Sequence, residues 1–440
     1  MAMSARRYKP YPAYKNSGVE WLGEIPAGWE VKKLGWLTEC LDRRRVPLNS
    51  EERGQMQGEY PYWGANSIVD YVDRWLFDEE LVLLGEDGAP FFDRARPVAF
   101  RVTGKIWVNN HAHVLRPRQQ IDAQFLEHIL NCVDYRAFID GTTRDKLTQG
   151  DMNAISTQRP PLFEQRAIAA FLDRETARID ALVAKKQRLI ALLQEQRTAV
   201  ITRAVTKGLD PTVPMKDSGV EWLGEIPTHW VSLALSRVTL SRCDGPFGSG
   251  LKSEHYSDSG VRVIRLQNIG WTDFLDADEA YLDELHARQL GDHSVVPGDL
   301  LIAGLGDEGH PVGRACVAPE RIEPAMVKAD CFRFRLDRRQ VHPRFAAYQL
   351  SATATATAGS LSTGSTRARM NLTTTARRKV GLPPPDEQRE IVGALDEGGE
   401  RFRAIVTKVQ EAIDRLKEFR TALISAAVTG KIDVREEAPV

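Results

Sequence analysis

Two stretches carry residue types suited to chemistry. Gly304, Gly306 and Gly309 form a GxGxxG after an apolar run. In a dinucleotide site such glycines let the backbone approach a pyrophosphate, and a helix must come next with its N-terminus on the phosphates. The chain continues instead with HPVGRACV, which reads as a strand, so the spacing predicts a glycine turn. His111 and His113 form an HxH pair behind Asn109 and Asn110. A metal site needs further ligands at matching spacing, and none accompanies them. Two alternatives stay open for this stretch. It is a packed hairpin, or a hairpin whose Asn and His side chains touch base edges or phosphates. No Walker A loop, no GxSxG elbow and no Asp/Asn-Pro-Pro-aromatic loop of an amino-methyltransferase is present.

Charge bears on the same alternatives. The net charge is −1, which does not advertise nucleic acid. Its distribution is more telling. Residues 94–118 hold Arg94, Arg96, Arg101, Lys105, Arg116 and Arg118 without an acid, and residues 361–381 hold Arg367, Arg369, Arg377, Arg378 and Lys379 without an acid. A basic stripe binds phosphates even when the remaining surface is acidic, and a solvated face is the bland alternative. Cys40, Cys132, Cys243, Cys316 and Cys331 are scattered with no CxxC pair, which supports neither a disulfide framework nor a zinc site. No run approaches the ~18 apolar residues of a membrane span. The N-terminus MAMSARRYKPYPAYK has no apolar signal region, so a cytoplasmic chain is expected.

The elements that must position these residues come in two copies. SGVEWLGEIP occurs at 17–26 and again at 218–227. PPLFEQRAI at 160–168 answers PPPDEQREI at 383–391, RTAVITRAVTKG at 197–208 answers RTALISAAVTGK at 420–431, and GTTR at 141–144 answers GSTR at 364–367. Such a period is domain-sized, so the chain repeats one plan and varies two inserts. Within the inserts, LVLLGEDG at 81–88 and GDLLIAGLGDEG at 298–309 predict buried strands closed by turns, and 97–117 predicts a hairpin around Gly104-Lys105. FLEHILNCVDYRAFI at 125–139 has helical spacing.

Residues 162–206 predict a long helix. Ile179, Leu182, Lys186, Leu189, Leu193, Gln196, Val200 and Arg203 form a heptad seam. Pro160 and Pro161 precede it, Glu164 complements its dipole, and Gly208 ends it. A helix of about 40 residues spans roughly 60 Å, and so long a helix needs a partner. Phe402, Val406, Val409, Ile413, Leu416 and Leu423 make a second seam in 387–428. Two-fold symmetry predicts that the helices pair antiparallel and hold the insert domains apart, with two ordinary core helices in a bundle as the bland alternative.

These features together resemble the specificity subunit of type I restriction-modification enzymes. The resemblance rests on the duplicated SGVEWLGEIPxxW, the run YPYWGANSIVDYVDRWLFDEELVLLGEDGA, GKIWVNNHAHVLRP, the two xPPxxEQRxI openings and the two R-T-A-x-I-x-x-A-V-T helix ends. It implies an α+β fold with two mixed α/β target recognition domains, separated by two long antiparallel coiled-coil helices in a pseudo-two-fold repeat. The expected division is an arm at 1–14, target recognition domain 1 at 15–158, a central helix at 159–208, target recognition domain 2 at 209–381, a C-terminal helix at 382–431 and a tail at 432–440. The chain is expected to have no catalytic residues, metal or cofactor of its own. Partners would be double-stranded DNA, two modification subunits using S-adenosylmethionine and two restriction subunits using ATP and magnesium.

By the family's pattern, Lys105, Asn109, Asn110, His111, Arg144 and Lys146 approach DNA in the first domain, and Arg314, Arg367, Arg369 and Asn371 in the second. Trp21, Leu22, Trp222 and Leu223 are the candidate partner-docking residues. Ile179, Leu182, Leu189, Leu193, Val200, Val406, Val409, Ile413, Leu416 and Leu423 are the coiled-coil residues. A stand-alone DNA-binding regulator on the same scaffold is the alternative. An enzyme with a nucleotide site at 304–309 is the rival from another class.

Overall fold

The computed structural model describes residues 8–139, 145–246, 251, 255–276, 279–307, 309–322, 324–361 and 368–436. Packing divides the chain into two units, Met1–Arg188 with Val409–Val440, and Leu189–Lys408. Each long helix contributes one part to each unit.

In the first unit every residue of strand Leu81–Gly85 is buried. A strand covered on both faces reads as an unbroken apolar run. Val82 and Leu84 share a core with Phe125, Leu126 and Ile129 of helix Ala123–Leu130. Leu81 and Leu83 pack with Phe77, Ile106, Val108 and Val114. The strand lies in an antiparallel sheet ordered Thr38–Cys40, Ala112–Pro117, Leu81–Gly85, Ala99–Val102. A second sheet is ordered Ile68–Val72, Gln57–Trp63, Lys105–Val108, Phe77–Asp78, and its central pair is parallel.

The hairpin expected over 97–117 does not form. Ala99–Val102 pairs with Leu81–Gly85, Lys105–Val108 joins the second sheet, and Ala112–Pro117 returns to the first. Gly104, at φ +76°, makes the first crossing turn. Alternation around a Gly-Lys pair marks strands but does not name their partners. Here both crossings let one segment serve two sheets.

The second unit repeats this plan with unlike residues. One sheet is ordered Thr239–Cys243, Cys331–Leu336, Leu300–Ala303, Ala315–Val317. A five-stranded sheet carries the corresponding parallel pair, Val261–Ile264 with Ala325–Val327. Leu300 and Ile302 enter one core while Leu301 and Ala303 enter another. Register agrees as well. His113 opposes Leu84 in the first unit, and Phe332 opposes Ile302 in the second.

The long helices are Leu162–Lys207 and Pro385–Val428. Their first turns use the repeated EQ pair in the same way. Glu164 Oε1 accepts the Trp29 indole N–H at 3.0 Å, and Glu387 Oε1 accepts that of Trp230 at 3.1 Å. Gln165 accepts the Asp122 amide and donates to the Pro160 carbonyl. Gln388 likewise accepts the His342 amide and donates to the Pro383 carbonyl. Each helix start is thereby tied to buried backbone that would otherwise lack partners. Left-handed Gly208 and Gly430 end the helices, at φ +75° and +71°.

In the first unit Ile168, Phe171, Leu172 and Ile179 share a core with Leu423, Ala427 and Val428. In the second, Ile201, Ala204 and Val205 share one with Ile391, Val392 and Leu395. In each unit the start of one helix packs with the end of the other, so the helices run antiparallel. An ion pair between Arg420 and Asp180 at 3.0 Å lies on the same pairing.

The seam of the central helix is shifted from the expected one. Its inward residues are Ile179, Val183, Lys186, Ile190, Leu193, Arg197, Ile201 and Ala204. Leu182, Leu189 and Val200 are instead 41%, 43% and 53% exposed. Both seams share Ile179, Lys186 and Leu193, and they differ by one residue, about 100°, at the alternate positions. Arg197 explains the choice. Its guanidinium lies 5.4 Å over the Phe402 ring and 3.6 Å from Asp273, so its stem packs inward while its charge is paired. Along the C-terminal helix, Ile413 and Leu423 are buried and Val406, Val409 and Leu416 half-buried. No helix among the described residues is long and apolar enough to cross a membrane.

Candidate nucleic-acid interface

In the first unit the turn Asn109–His111 links the two sheets, and the segment Asp145–Leu147 docks beside it. The Leu147 amide donates to the Glu86 carbonyl at 2.8 Å, and Lys146 bridges Asp87. The Glu86 amide donates to the His111 carbonyl at 2.8 Å. Asn109 is buried, and its side chain accepts the His111 amide. It therefore shapes the turn. Asn110 is exposed, and the half-exposed His111 meets Asp87 through Nδ1. Lys105 stands at the far end of its strand, with Nζ 3.8 Å over the Trp75 ring and 5.5 Å over Tyr60. It does not join the turn. Arg144 lies outside the described residues.

Beneath this edge is a network that the sequence pattern did not assemble. His113 is 1% exposed. Its Nδ1 lies 2.6 Å from Asp42 Oδ2 and its Nε2 lies 2.9 Å from the Leu147 carbonyl. Asp42 also accepts the Val114 amide at 2.8 Å. Burial works to raise the Asp42 carboxyl, but His113, the Val114 amide and Arg45 hold it below its ordinary range. Arg45 donates to Glu86 at 2.6 Å and to the Ala112 carbonyl at 2.7 Å. Lys146 Nζ lies 3.2 Å from Glu86. The usable signal was the inward phase of His113 within the otherwise apolar run Ala112–Leu115.

Cys40, Asp42 and His113 bring possible ligand atoms within 4.8 Å of one another. The hydrogen bonding argues against a cation there. Both ring nitrogens of His113 are engaged, and the Arg45 guanidinium stands 3.3 Å from Asp42. Burial pushes the Cys40 thiol up to about 11, far from the thiolate that binds metals.

The second unit builds the same dock differently. The Gly306 amide donates to the Ala368 carbonyl at 3.0 Å, and Met370 donates to the Gly304 carbonyl at 2.9 Å. Arg369 is exposed and reaches Asp330 at 2.8 Å. Asp330 adopts a left-handed backbone at φ 63°. Its amide donates to Asp244 at 3.1 Å. Burial, helped by Asp330, pushes the Asp244 carboxyl up to about 6.

Two basic residues change role here. Arg314 is 5% exposed, and it donates to the carbonyls of Ile269, Leu266, Leu305, His310 and Pro311. Its fork is engaged with backbone, so it holds the glycine loop and does not contact a base. Arg378, expected on the basic surface, is fully buried. It donates to the Gly313 carbonyl at 2.8 Å and to Thr353 Oγ1 at 2.7 Å. Asn371 caps helix Leu372–Arg377 by accepting the Thr374 amide at 2.8 Å, so its carbonyl oxygen is engaged. Arg367 lies outside the described residues. No helix starts on the GxGxxG, and residue 315 opens a strand.

The docking candidates split. Leu22 and Leu223 are buried in their own cores and are not open to a partner, while Trp21 and Trp222 are half-buried. The leucines of a repeated motif were kept for packing.

Known proteins share this fold. The profile of the family described as "Type I restriction modification DNA specificity domain" matches residues 26–191. A putative type I restriction enzyme specificity subunit of Haemophilus influenzae is 35% identical over 148 residues, covering 34% of this chain and 37% of that protein. The chain thus spans little more than a third of that relative. The StySPI specificity subunit of Salmonella potsdam is 23% identical over 449 residues, covering 94% and 92%. A chain from a structural study of complex assembly and conformational transition of the type I restriction-modification system superposes with a TM-score of 0.67 at 16% identity, covering 93% and 99%. That likeness establishes a shared fold: two β-rich domains linked by two long, paired helices. The chain belongs to the family of type I restriction-modification DNA specificity subunits.

Proposed function

We propose that this specificity subunit reads a two-part, asymmetric DNA target, one half through each recognition domain, at 15–158 and 209–381. The observation that carries this is the repeated dock. Asp145–Leu147 packs on Glu86–Gly88, and Ala368–Met370 packs on Gly304–Gly306, with unlike exposed residues at equivalent places. A common frame with different side chains suits two half-sites of different sequence. Asn110, His111 and Lys146 are the contact residues of the first half, with Lys105 farther along. Arg369 is that of the second. Cationic groups suit phosphates or guanine, and Asn110 suits adenine.

Catalysis belongs to partners in this reading. Two modification subunits would use S-adenosylmethionine and two restriction subunits would use ATP and magnesium, in the cytoplasm. Trp21 in the first unit, and separately Trp222 and the exposed row Leu189, Leu192 and Val200 in the second, are the docking residues. Exposed apolar rows of this kind commonly mark protein contacts.

Methylation-sensitive sequencing of a host expressing this chain with its modification subunit tests the reading. The expected result is adenine methylation at a motif of two specified blocks around an unspecified spacer. A continuous motif, or no motif, would count against it.

A further inference from the structure

We infer that His113 is a positioning residue that sets the Asp145–Leu147 segment against the Asn109–His111 turn. It thereby governs readout of one half-site without touching DNA. The inference rests on the proposed reading that this edge faces DNA.

A carbonyl oxygen only accepts, so His113 Nε2 carries the proton it shares with Leu147. Nδ1 points at a carboxylate that accepts from the Val114 amide through its other oxygen. One buried ring therefore joins three separate pieces of chain. These are the turn Asp42–Arg44, the strand Ala112–Pro117 and the segment that carries Lys146.

Among the described residues, the charged groups around the ring serve the same junction. Glu86 lies 3.9 Å from Nδ1 and bridges Arg45 to Lys146. Arg45 also pairs with Asp42 and holds the carbonyl of Ala112. Lys146 is the exposed end of this chain of contacts, and Asp87 with His111 is its neighbour across the dock. Without the ring, the Leu147 carbonyl and the Asp42 carboxylate would be left buried and short of a partner. Refilling those bonds requires the segment to move. Lys146 would then shift relative to Asn110 and His111.

The equivalent position in the second unit is Phe332, which opposes Ile302 on the helix-side face and whose ring carries no hydrogen-bonding atom. There the buried Arg314 and Arg378 hold the glycine loop instead. The effect of changing His113 should therefore be confined to one half-site. A general loss of folding would weaken both halves alike.

The test uses the full chain co-purified with its modification subunit. The probe is a duplex oligonucleotide carrying the motif that the wild-type complex methylates. Single base changes are made in either half. His113→Gln is expected to weaken binding roughly tenfold, as for loss of a charge-assisted hydrogen bond, and to lower discrimination in one half only. Amide exchange of 145–147 should also quicken. Asp42→Asn should give the same pattern more weakly, and it decides the matter if His113→Gln does not fold. A folded variant with unchanged discrimination in both halves would overturn the inference, as would equal loss in both. Failure of the wild type to methylate any two-part motif would instead overturn the proposed function. That result is distinguishable, because it needs no variant.

Discussion

The two docks differ in how they hold the same piece of chain. In the first unit, Lys146 and its segment are held by ion pairs of Arg45 and Lys146 with Asp42 and Glu86, and by the hydrogen bonds of His113. In the second, Arg314 and Arg378 hold the loop through hydrogen bonds to backbone carbonyls and a threonine hydroxyl. The shared Trp–Glu and Gln contacts at the helix starts hardly differ at all. Packing that builds the frame is kept, while the support under each dock is rebuilt with different chemistry. The two domains should therefore fail differently.

The largest difference is expected at one equivalent position. Ile155 and Arg378 each come directly after the short helix below the dock. Arg378→Met should destabilise the second unit by about 3 kcal/mol or more, because the Gly313 and Leu350 carbonyls lose their donor. Ile155→Met should cost the first unit under about 1.5 kcal/mol. Chemical denaturation with unit-resolved amide exchange reads both. Equal costs would erase the distinction between the two docks.

The helix caps should separate next. A Cβ at Gly430 would lie 2.4 Å from Pro26 Cδ and 3.0 Å from the Trp29 ring, whereas at Gly208 the nearest atom is Glu387 Oε1 at 3.3 Å. Both positions carry the left-handed penalty, but only Gly430 adds a clash with rigid groups. Gly430→Ala should cost roughly 3 kcal/mol and Gly208→Ala roughly 1 kcal/mol. Melting temperatures that fall equally would show that the first cap yields more easily than its crowding suggests.

The smallest effect concerns acid. The Asp244 carboxyl is raised in the fold to about 6, so ionising it opposes folding. That cost is absent below the ordinary carboxylate range and fully present above pH 6. Asp244→Asn should stabilise the second unit at pH 7.5, by under about 1 kcal/mol given solvent screening, and the gain should vanish near pH 4. Asp42 is shifted the other way. Its stabilisation is present at neutral pH and is lost only as pH falls below the ordinary carboxylate range. A benefit of Asp244→Asn that persisted at pH 4 would rule out this titration as the cause.

Much of this frame was legible in the chain itself. Exact repetition gave the two copies, and proline, glutamate and glycine marked where the long helices start and stop. LVLL and LLIA announced strands buried on both faces. The phase of the central seam was not legible, because Leu182 and Leu189 are as apolar as the residues that pack. Only the tertiary partners Phe402 and Asp273 of Arg197 select between two seams one residue apart. Pairing of the 97–117 strands was hidden for a related reason, since alternation does not say which sheet a strand joins. Arg314 and Arg378 were hidden because a burial satisfied by backbone carbonyls leaves no acidic partner to find in the sequence. His113 was half visible. Its HxH spacing drew attention, but Asp42 and Leu147 come from distant segments.

The central claim is that each unit reads its own half-site. The most direct measurement is the methylated motif of two single variants, Lys146→Ala and Arg369→Ala, each expressed with the modification subunit in the same host. Each variant is predicted to relax one block of the motif and leave the other block and the spacer unchanged, and the two variants should relax different blocks. If both variants altered the same block, or if either altered both blocks together, the division of labour between the units would be wrong.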